Sequence, residues 1–306
     1  MAAVDFGGTK TAVVLADGPG HILARYRFDT TTGAASVAAA IDVVRDMRGS
    51  GSLAGLGVVS PGIVGDDGIR LAPHVAGWEK LRLPALFGAA FPRVAMAFGN
   101  DVKAAALAEA TTGRLRAVDP GMLVNLGTGV AVAIVVAGRV VRGAHGWAGE
   151  VGYSPGVGAD GERAPVEQLV GGAALQRLAI AEGLPTTAAL IDAGLADAAL
   201  GCRIADSFAA FADGLISWCL VVDPERIVFT GGLLAASELW WKPVARRLAS
   251  VLPDPPQLAR SAFDADAALH GALLLGRRAS RAGVSTASAA GGPSTDVSRS
   301  LSLSAD

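Results

Sequence analysis

The chain has 306 residues, 26 Lys and Arg against 28 Asp and Glu, a net charge of −2, 51% hydrophobic residues and 18% charged ones. Such length and apolar content suit one large or two medium folded domains and exclude a disordered chain. The near-neutral charge and the lack of a basic run exclude the electrostatic footprint of a nucleic-acid binder, so the expected ligand is small.

No apolar run approaches the roughly 20 residues of a membrane span; the purest, Val130 to Ala137, has strand length. Met1 leads directly into an apolar strand without the basic and apolar regions of a signal peptide, so a cytoplasmic protein with no membrane partner is expected. Cys202 and Cys219 stand seventeen residues apart (219 minus 202) in or just before one expected helix. At that spacing they lie about 25 Å apart along its axis, too far to bridge, and both read as core thiols.

Ala2 to Ala16, AAVDFGGTKTAVVLA, reads as two strands joined by a turn at Gly7, Gly8, Thr9 and Lys10. Consecutive glycines leave backbone N–H groups uncovered, while Thr9 and Lys10 add a hydroxyl and a cation: a small phosphate cradle, or a plain hairpin turn. His21 to Thr30 extends the meander, Ala34 to Met47 has helical spacing, and Leu53 to Val59 is a buried strand ending at Ser60, Pro61 and Gly62. Gly65 to Gly68 is a turn, and Leu71 to Leu86 is an irregular connection. Val94 to Phe98 is a strand, and Asp101 is placed to cap a helix from Val102 to about Ala110.

Ala117 to Gly121 marks a boundary, after which the opening element returns. Leu123 to Ala137, LVNLGTGVAVAIVVA, places a Gly127-Thr128-Gly129 turn between two apolar strands, 120 residues (127 minus 7) after the first turn. Repetition at that distance is hard to attribute to turn chemistry alone. Val140 and Val141 begin a third strand, and Gly143 to Gly161 is a glycine-rich loop of a length that is usually functional. Helices are expected over Pro165 to Gly183, Ala205 to Val222, Val244 to Val251 and Ala267 to Arg281. A strand is expected at Arg226 to Phe229, followed by Gly231 and Gly232, and a disordered tail from Gly283 to Asp306.

Two meander and helix halves, each opening with a phosphate hairpin, resemble the duplicated fold of sugar kinases, actin and heat-shock ATPase chaperones. That resemblance implies an α/β, actin-like and ribonuclease-H-like two-domain fold with a central interdomain cleft. It divides the chain into an N-terminal domain over 1–117 and a C-terminal domain over 118–282, whose last helix could pack back on the first. Within that group the chain resembles the ROK family (repressors, open reading frames and kinases). The matching stretches are DFGGTK at 5–10, APHVAGW at 72–78, GNDVKAAALAE at 99–109, NLGTGV at 125–130, AGEVGY at 148–153, VFTGG at 228–232 and ALHGALLLG at 268–276.

The resemblance implies an ATP-dependent kinase acting on a primary hydroxyl of a hexose or hexose-like polyol. Gly7, Gly8, Thr9 and Lys10 would form the first phosphate loop and Gly127, Thr128 and Gly129 the second, with Gly231 and Gly232 beside the adenosine. Asp5 would hold the Mg²⁺ that accompanies ATP through water, as suits a hard ion that retains its waters; its other reading is a strand-end turn former. A sugar hydroxyl is a poor nucleophile, so a carboxylate must accept its proton. The residues alone leave open whether Asp101 caps its helix or is that base, and the resemblance favours the base. Asn100, Glu150, Glu167 and Gly62 match the family's sugar-contacting positions.

Two departures stand out. Where most family members end the AGE motif in Gly-His, this chain has Tyr153, and the family's cysteine-rich zinc segment is replaced by GVGADGERAPVE, with Asp160, Gly161, Ala164, Pro165 and Val166 in its register and Glu167 retained. All four zinc ligands are missing together, so no zinc site is expected. His74 also stands where the family usually has Asn. Exchange of an imidazole for the longer Tyr153 phenol points away from glucose itself, and a C7-cyclitol is an alternative acceptor. The resemblance further admits polyphosphate as donor, a homodimer, and a non-catalytic sugar-sensing role.

Overall fold

Ala2–Phe6 (β1), Lys10–Ala16 (β2) and Ile22–Asp29 (β3) form an antiparallel meander in which Val4 faces Val13 and Val13 faces Tyr26. The structure is a computed structural model and describes residues 1–18, 20–72, 77–158 and 161–283. Helix α1 (Gly33–Arg48) carries the chain back over the sheet, so that β4 (Leu56–Ser60) pairs parallel with β1, and β7 (Met96–Asn100) pairs parallel with β4. Between them, β5 (Ile63–Gly65) and β6 (Gly68–Arg70) make a small hairpin, and α2 (Leu83–Ala90) packs below. Phe6, Trp78 and Phe87 are fully buried at the centre, with the Phe6 and Trp78 rings edge to face at 5.1 Å.

After α3 (Asp101–Thr112) the pattern repeats. Strands β8 (Gly121–Leu126), β9 (Val130–Val136) and β10 (Arg139–Val140) form a second antiparallel meander, and β13 (Arg226–Thr230) and β14 (Gln257–Arg260) add to β8 in parallel. Each sheet has five strands in the spatial order third, second, first, fourth, fifth. This identity of topology is the structural form of the repeated hairpin.

The second half is larger. A short ribbon, β11 (Pro155–Val157) with β12 (Arg163–Pro165), is followed by five helices: α4 (Val166–Val170), α5 (Gly172–Ala181), α6 (Thr187–Ala196), α7 (Ala198–Ser207) and α8 (Ala209–Val222). Together with α9 (Ser237–Val251) they cover the sheet with a core of Phe208, Phe211, Phe229 and Trp240. The stretch Ala198–Val222 is long and apolar enough by composition to cross a membrane, contrary to the reading of the sequence. Phe208, Phe211 and Leu215 within it are fully buried in that core.

The final helix, α10 (Ala267–Ala282), lies on the first half. A Cβ on Gly57 of β4 would stand 1.8 Å from the Ala272 carbonyl oxygen, and one on Gly271 would stand 1.9 Å from that of Ala104 in α3. Only glycine permits this backbone approach. Two further ties join the halves. Glu109 of α3, fully buried, accepts from Arg114 N–H at 2.6 Å, Ser261 Oγ–H at 2.7 Å and Ala262 N–H at 2.8 Å. Arg25 and Arg27 of β3 both pair with Asp266, just ahead of α10.

Several expectations need correction. Asn100, not Asp101, is the N-cap of α3, because its Oδ1 accepts the Lys103 N–H at 2.9 Å while Asp101 already has helical backbone. Cys219 is buried on α8, but Cys202, on α7 just before it, is exposed, so the two are not both core thiols. The turn at 65–68 is the tip of the β5–β6 hairpin, the connection at 71–86 contains the start of α2, and the loop at 143–161 contains β11. The expected helix at 165–183 is broken at Gly171 into α4 and α5. His74, Asp160 and residues 284–306 lie outside the described residues.

Candidate active site

The two glycine turns face each other. The first joins β1 to β2, with Gly7 N–H donating to the Lys10 carbonyl at 2.9 Å and the Thr30 hydroxyl donating to the Gly7 carbonyl at 2.9 Å. The second joins β8 to β9, with Gly127 N–H on the Gly129 carbonyl at 3.1 Å. A Cβ on Gly8 would lie 3.5 Å from Thr128 Oγ1, so the turns meet across the two halves. Thr9 and Thr128 are exposed. The Lys10 ammonium points away, pairing with Asp29 on an exposed face.

Behind the second turn stand two glycines that the reading of the sequence passed over. Gly172 N–H donates to the Gly127 carbonyl at 2.8 Å, Ala173 N–H donates to the Thr128 carbonyl at 3.2 Å, and a Cβ on Gly171 would stand 2.7 Å from the Thr128 oxygen. The break between α4 and α5 therefore seats the turn, and the Gly-Gly pair was its visible signal. Gly231 has φ of +100° and abuts the Leu126 carbonyl at the same strand end, while Gly232 opens on free space.

Two carboxylates, Asp5 and Asp101, stand close enough to repel each other. Asp5, the next-to-last residue of β1, is half-buried, and among the described residues no donor reaches its side chain. Burial, followed by the negative charges of Asp101 and Asp266, pushes its carboxyl up to about 8 against the opposing charge of Arg27. Asp101 opens α3, its Oδ1 accepting the Val102 N–H at 2.9 Å. Burial pushes its carboxyl up to about 6; that hydrogen bond and Lys103 oppose the rise, and Glu150 adds to it. At neutral pH it is mostly ionised yet still a competent proton acceptor.

A hydrogen-bonded chain connects the predicted sugar contacts. Asn100 Nδ2 donates to the Gly62 carbonyl at 3.1 Å, Lys103 N–H donates to Asn100 Oδ1, and Lys103 Nζ donates to Glu150 Oε1 at 3.1 Å. Gly62, at φ +76°, packs against the Arg70 carbonyl of β6. Glu150 precedes the short turn Val151–Tyr153, and a Cβ on Gly152 would lie 3.0 Å from Glu167 Oε2, so both glutamates belong to one wall. The Tyr153 phenol, 41% exposed, is pushed up to about 12 by burial and then by Glu167, Glu150 and Glu79. It stays a neutral hydrogen-bonding group. Lys103 is the wall residue that the sequence did not disclose.

Among the described residues, no group of three or more His, Cys, Asp or Glu side chains is arranged to hold a metal ion. Asp5 offers a hard oxygen donor beside the first turn, and with no hydrogen-bond donor reaching it among the described residues it suits an ion that keeps most of its own waters.

Two duplicated α/β halves with opposed glycine turns and a carboxylate on a helix start define the actin-like class of two-domain phosphotransfer folds. The chain belongs to the ROK family, whose model matches residues 1–279. It is 27% identical over 295 residues to N-acetylgalactosamine kinase AgaK of Shewanella sp. (strain ANA-3), covering 89% of this chain and 95% of that protein. It is 26% identical over 283 residues to a glucokinase of Halalkalibacterium halodurans, covering 79% and 82%. The crystal structure of the ROK hexokinase from Thermus thermophilus superposes with a TM-score of 0.71 at 26% identity, over 92% of this chain and 99% of that one.

Proposed function

We propose that the chain is an ATP-dependent sugar kinase that transfers the γ-phosphoryl group to a primary hydroxyl of a hexose or hexose-like polyol. The observation that carries this reading is the approach of Gly8 to Thr128, with the Asp101 carboxylate near enough to Asp5, beside the first turn, to raise its pKa. Gly8, Thr9, Thr128 and Gly129 bind the phosphates through backbone N–H groups and hydroxyls, while Gly7 and Gly127, whose N–H groups close the two turns, complete the phosphate loops without covering them. Lys10 completes the first phosphate loop and would have to leave Asp29 to reach a phosphate, and Gly231 and Gly232 lie beside the adenosine, with Gly232 open to space. The functional units are 1–117 and 118–282, in a cytoplasmic enzyme that can pair as a homodimer.

Asp101 takes the proton of the acceptor hydroxyl as its oxygen bonds to the γ-phosphorus and ADP leaves with the electrons of the broken P–O bond. Asn100, Glu150, Tyr153, Glu167 and the loop at Gly62 orient the acceptor, so that proximity supplies much of the rate. Asp5 would hold the Mg²⁺ of Mg-ATP through water, and the ion would supply charge neutralisation on the phosphates. The Tyr153 phenol in the glutamate wall favours a second acceptor class, a C7-cyclitol, which lacks an anomeric centre.

Incubating the protein with Mg-ATP, or with polyphosphate, and a panel of hexoses, amino sugars, N-acetylhexosamines and cyclitols tests the reading through acceptor-stimulated ADP or shortened-polyphosphate release. Stimulation by at least one acceptor is expected. Sugar binding without turnover of either donor would replace it by a sugar-sensing role.

A further inference from the structure

Lys103 and Glu150 come from opposite halves of the chain, and their side chains are only 12% and 13% exposed. A pair so deep needs its charges matched, because a lone buried charge is costly. The lysine is doubly fixed: its backbone N–H is taken by the Asn100 side chain, which is itself tied to Gly62, and its ammonium is on Glu150. The Lys103 ammonium thus ties Glu150, from the other half, to the end of the wall that Asn100 and Gly62 form, and among the described residues it makes no other hydrogen bond.

We propose that Lys103 is a positioning and specificity-determining residue of the acceptor site: it holds Glu150 in place and neutralises its side of the pocket, selecting neutral hydroxyl-bearing acceptors over ammonium-bearing ones. The inference rests on the kinase reading above. With Lys103 in place, Glu150 keeps a lone pair for an acceptor hydroxyl, whereas an amino substituent at that point meets the lysine ammonium. Without Lys103, Glu150 is an unbalanced carboxylate that attracts a cation and is free to change rotamer.

The test compares wild type with Lys103→Met, Lys103→Arg, Glu150→Gln and the Met/Gln double variant, using each hexose and its 2-amino counterpart as acceptor. Lys103→Met is expected to raise KM for the hexose about tenfold to a hundredfold, the effect of losing a charged hydrogen bond. It should leave KM for ATP unchanged and lower the hexose-to-amino-sugar ratio of kcat/KM about tenfold. Lys103→Arg restores most of both, and the double variant is no worse than Glu150→Gln alone. Should Lys103→Met fold poorly, Lys103→Arg and Glu150→Gln decide the matter: Arg must preserve the ratio and Gln must lower acceptor affinity. An unchanged ratio, or effects of the two sites that simply add, overturns the proposal while leaving the kinase reading intact. A wild-type protein that phosphorylates no acceptor overturns the reading and the proposal together.

Discussion

Gly8 and Thr128, 120 residues apart, meet across the two halves with 3.5 Å between Thr128 Oγ1 and the place a Gly8 Cβ would take. A methyl fits there as an ordinary contact, but a branched side chain fills the space between the turns. Gly8→Val is therefore expected to raise KM for ATP tenfold or more, with thermal stability close to wild type. Steady-state kinetics with varied ATP, beside a melting curve, checks both halves of that statement.

The Asp101 carboxyl, pushed up to about 6 by burial, must be ionised to accept a proton. Activity should fall as pH drops through about 6 and reach a plateau above it. The pH profile of kcat/KM for the acceptor reads this limb directly, and a limb near 4, the ordinary range of an aspartate, would mean that the group is not buried as described.

The same raised value bears on stability. An aspartate whose folded value exceeds its unfolded one binds the proton more tightly when folded, so stability declines as pH rises from about 4 to about 6 and the cost persists above. Asp101→Asn carries no such cost. Discounting about 1.4 kcal/mol per pH unit for partial exposure, the variant should be about 1–2 kcal/mol more stable than wild type at pH 7.5. The advantage should vanish near pH 4, and denaturant titrations at the two pH values test it.

Glu109 holds α3 to the segment entering α10 through three donors while fully buried. Glu109→Ala leaves the Ser261 hydroxyl and the N–H groups of Arg114 and Ala262 without their acceptor. A loss of about 3–5 kcal/mol is expected. Denaturant unfolding measures it, and Ser261→Ala, which removes one of the three donors to Glu109 together with the acceptor of the Phe263 N–H, should cost less, about 1–3 kcal/mol.

Much of this was legible because it rests on local chemistry. The two hairpins, the strand before Asp101 and the last helix show period, length and turn residues that tertiary contacts do not override, and the repeated Gly-Thr turns announced the duplication. What was not legible depends on partners far along the chain. The capping role passed from Asp101 to Asn100 because α3 begins at Asp101, one residue earlier than its expected start at Val102, directly where β7 ends at Asn100. The break at Gly171 follows from the backbone of the second turn lying against it, and β14 exists only because β13 offers an edge to the polar segment Gln257–Arg260. Lys103 reads as a surface residue of an alanine-rich helix until Glu150, from the other half, arrives beside it.

The most direct test of Asp101 as the base is the turnover of Asp101→Asn with an acceptor that the wild type phosphorylates, read beside calorimetric binding of that acceptor and of ATP. The account predicts a loss of about 10²–10⁴ in kcat, the usual worth of a general base, with both ligands still bound within a few-fold of wild type. A variant that keeps turning over within a few-fold of wild type would contradict it.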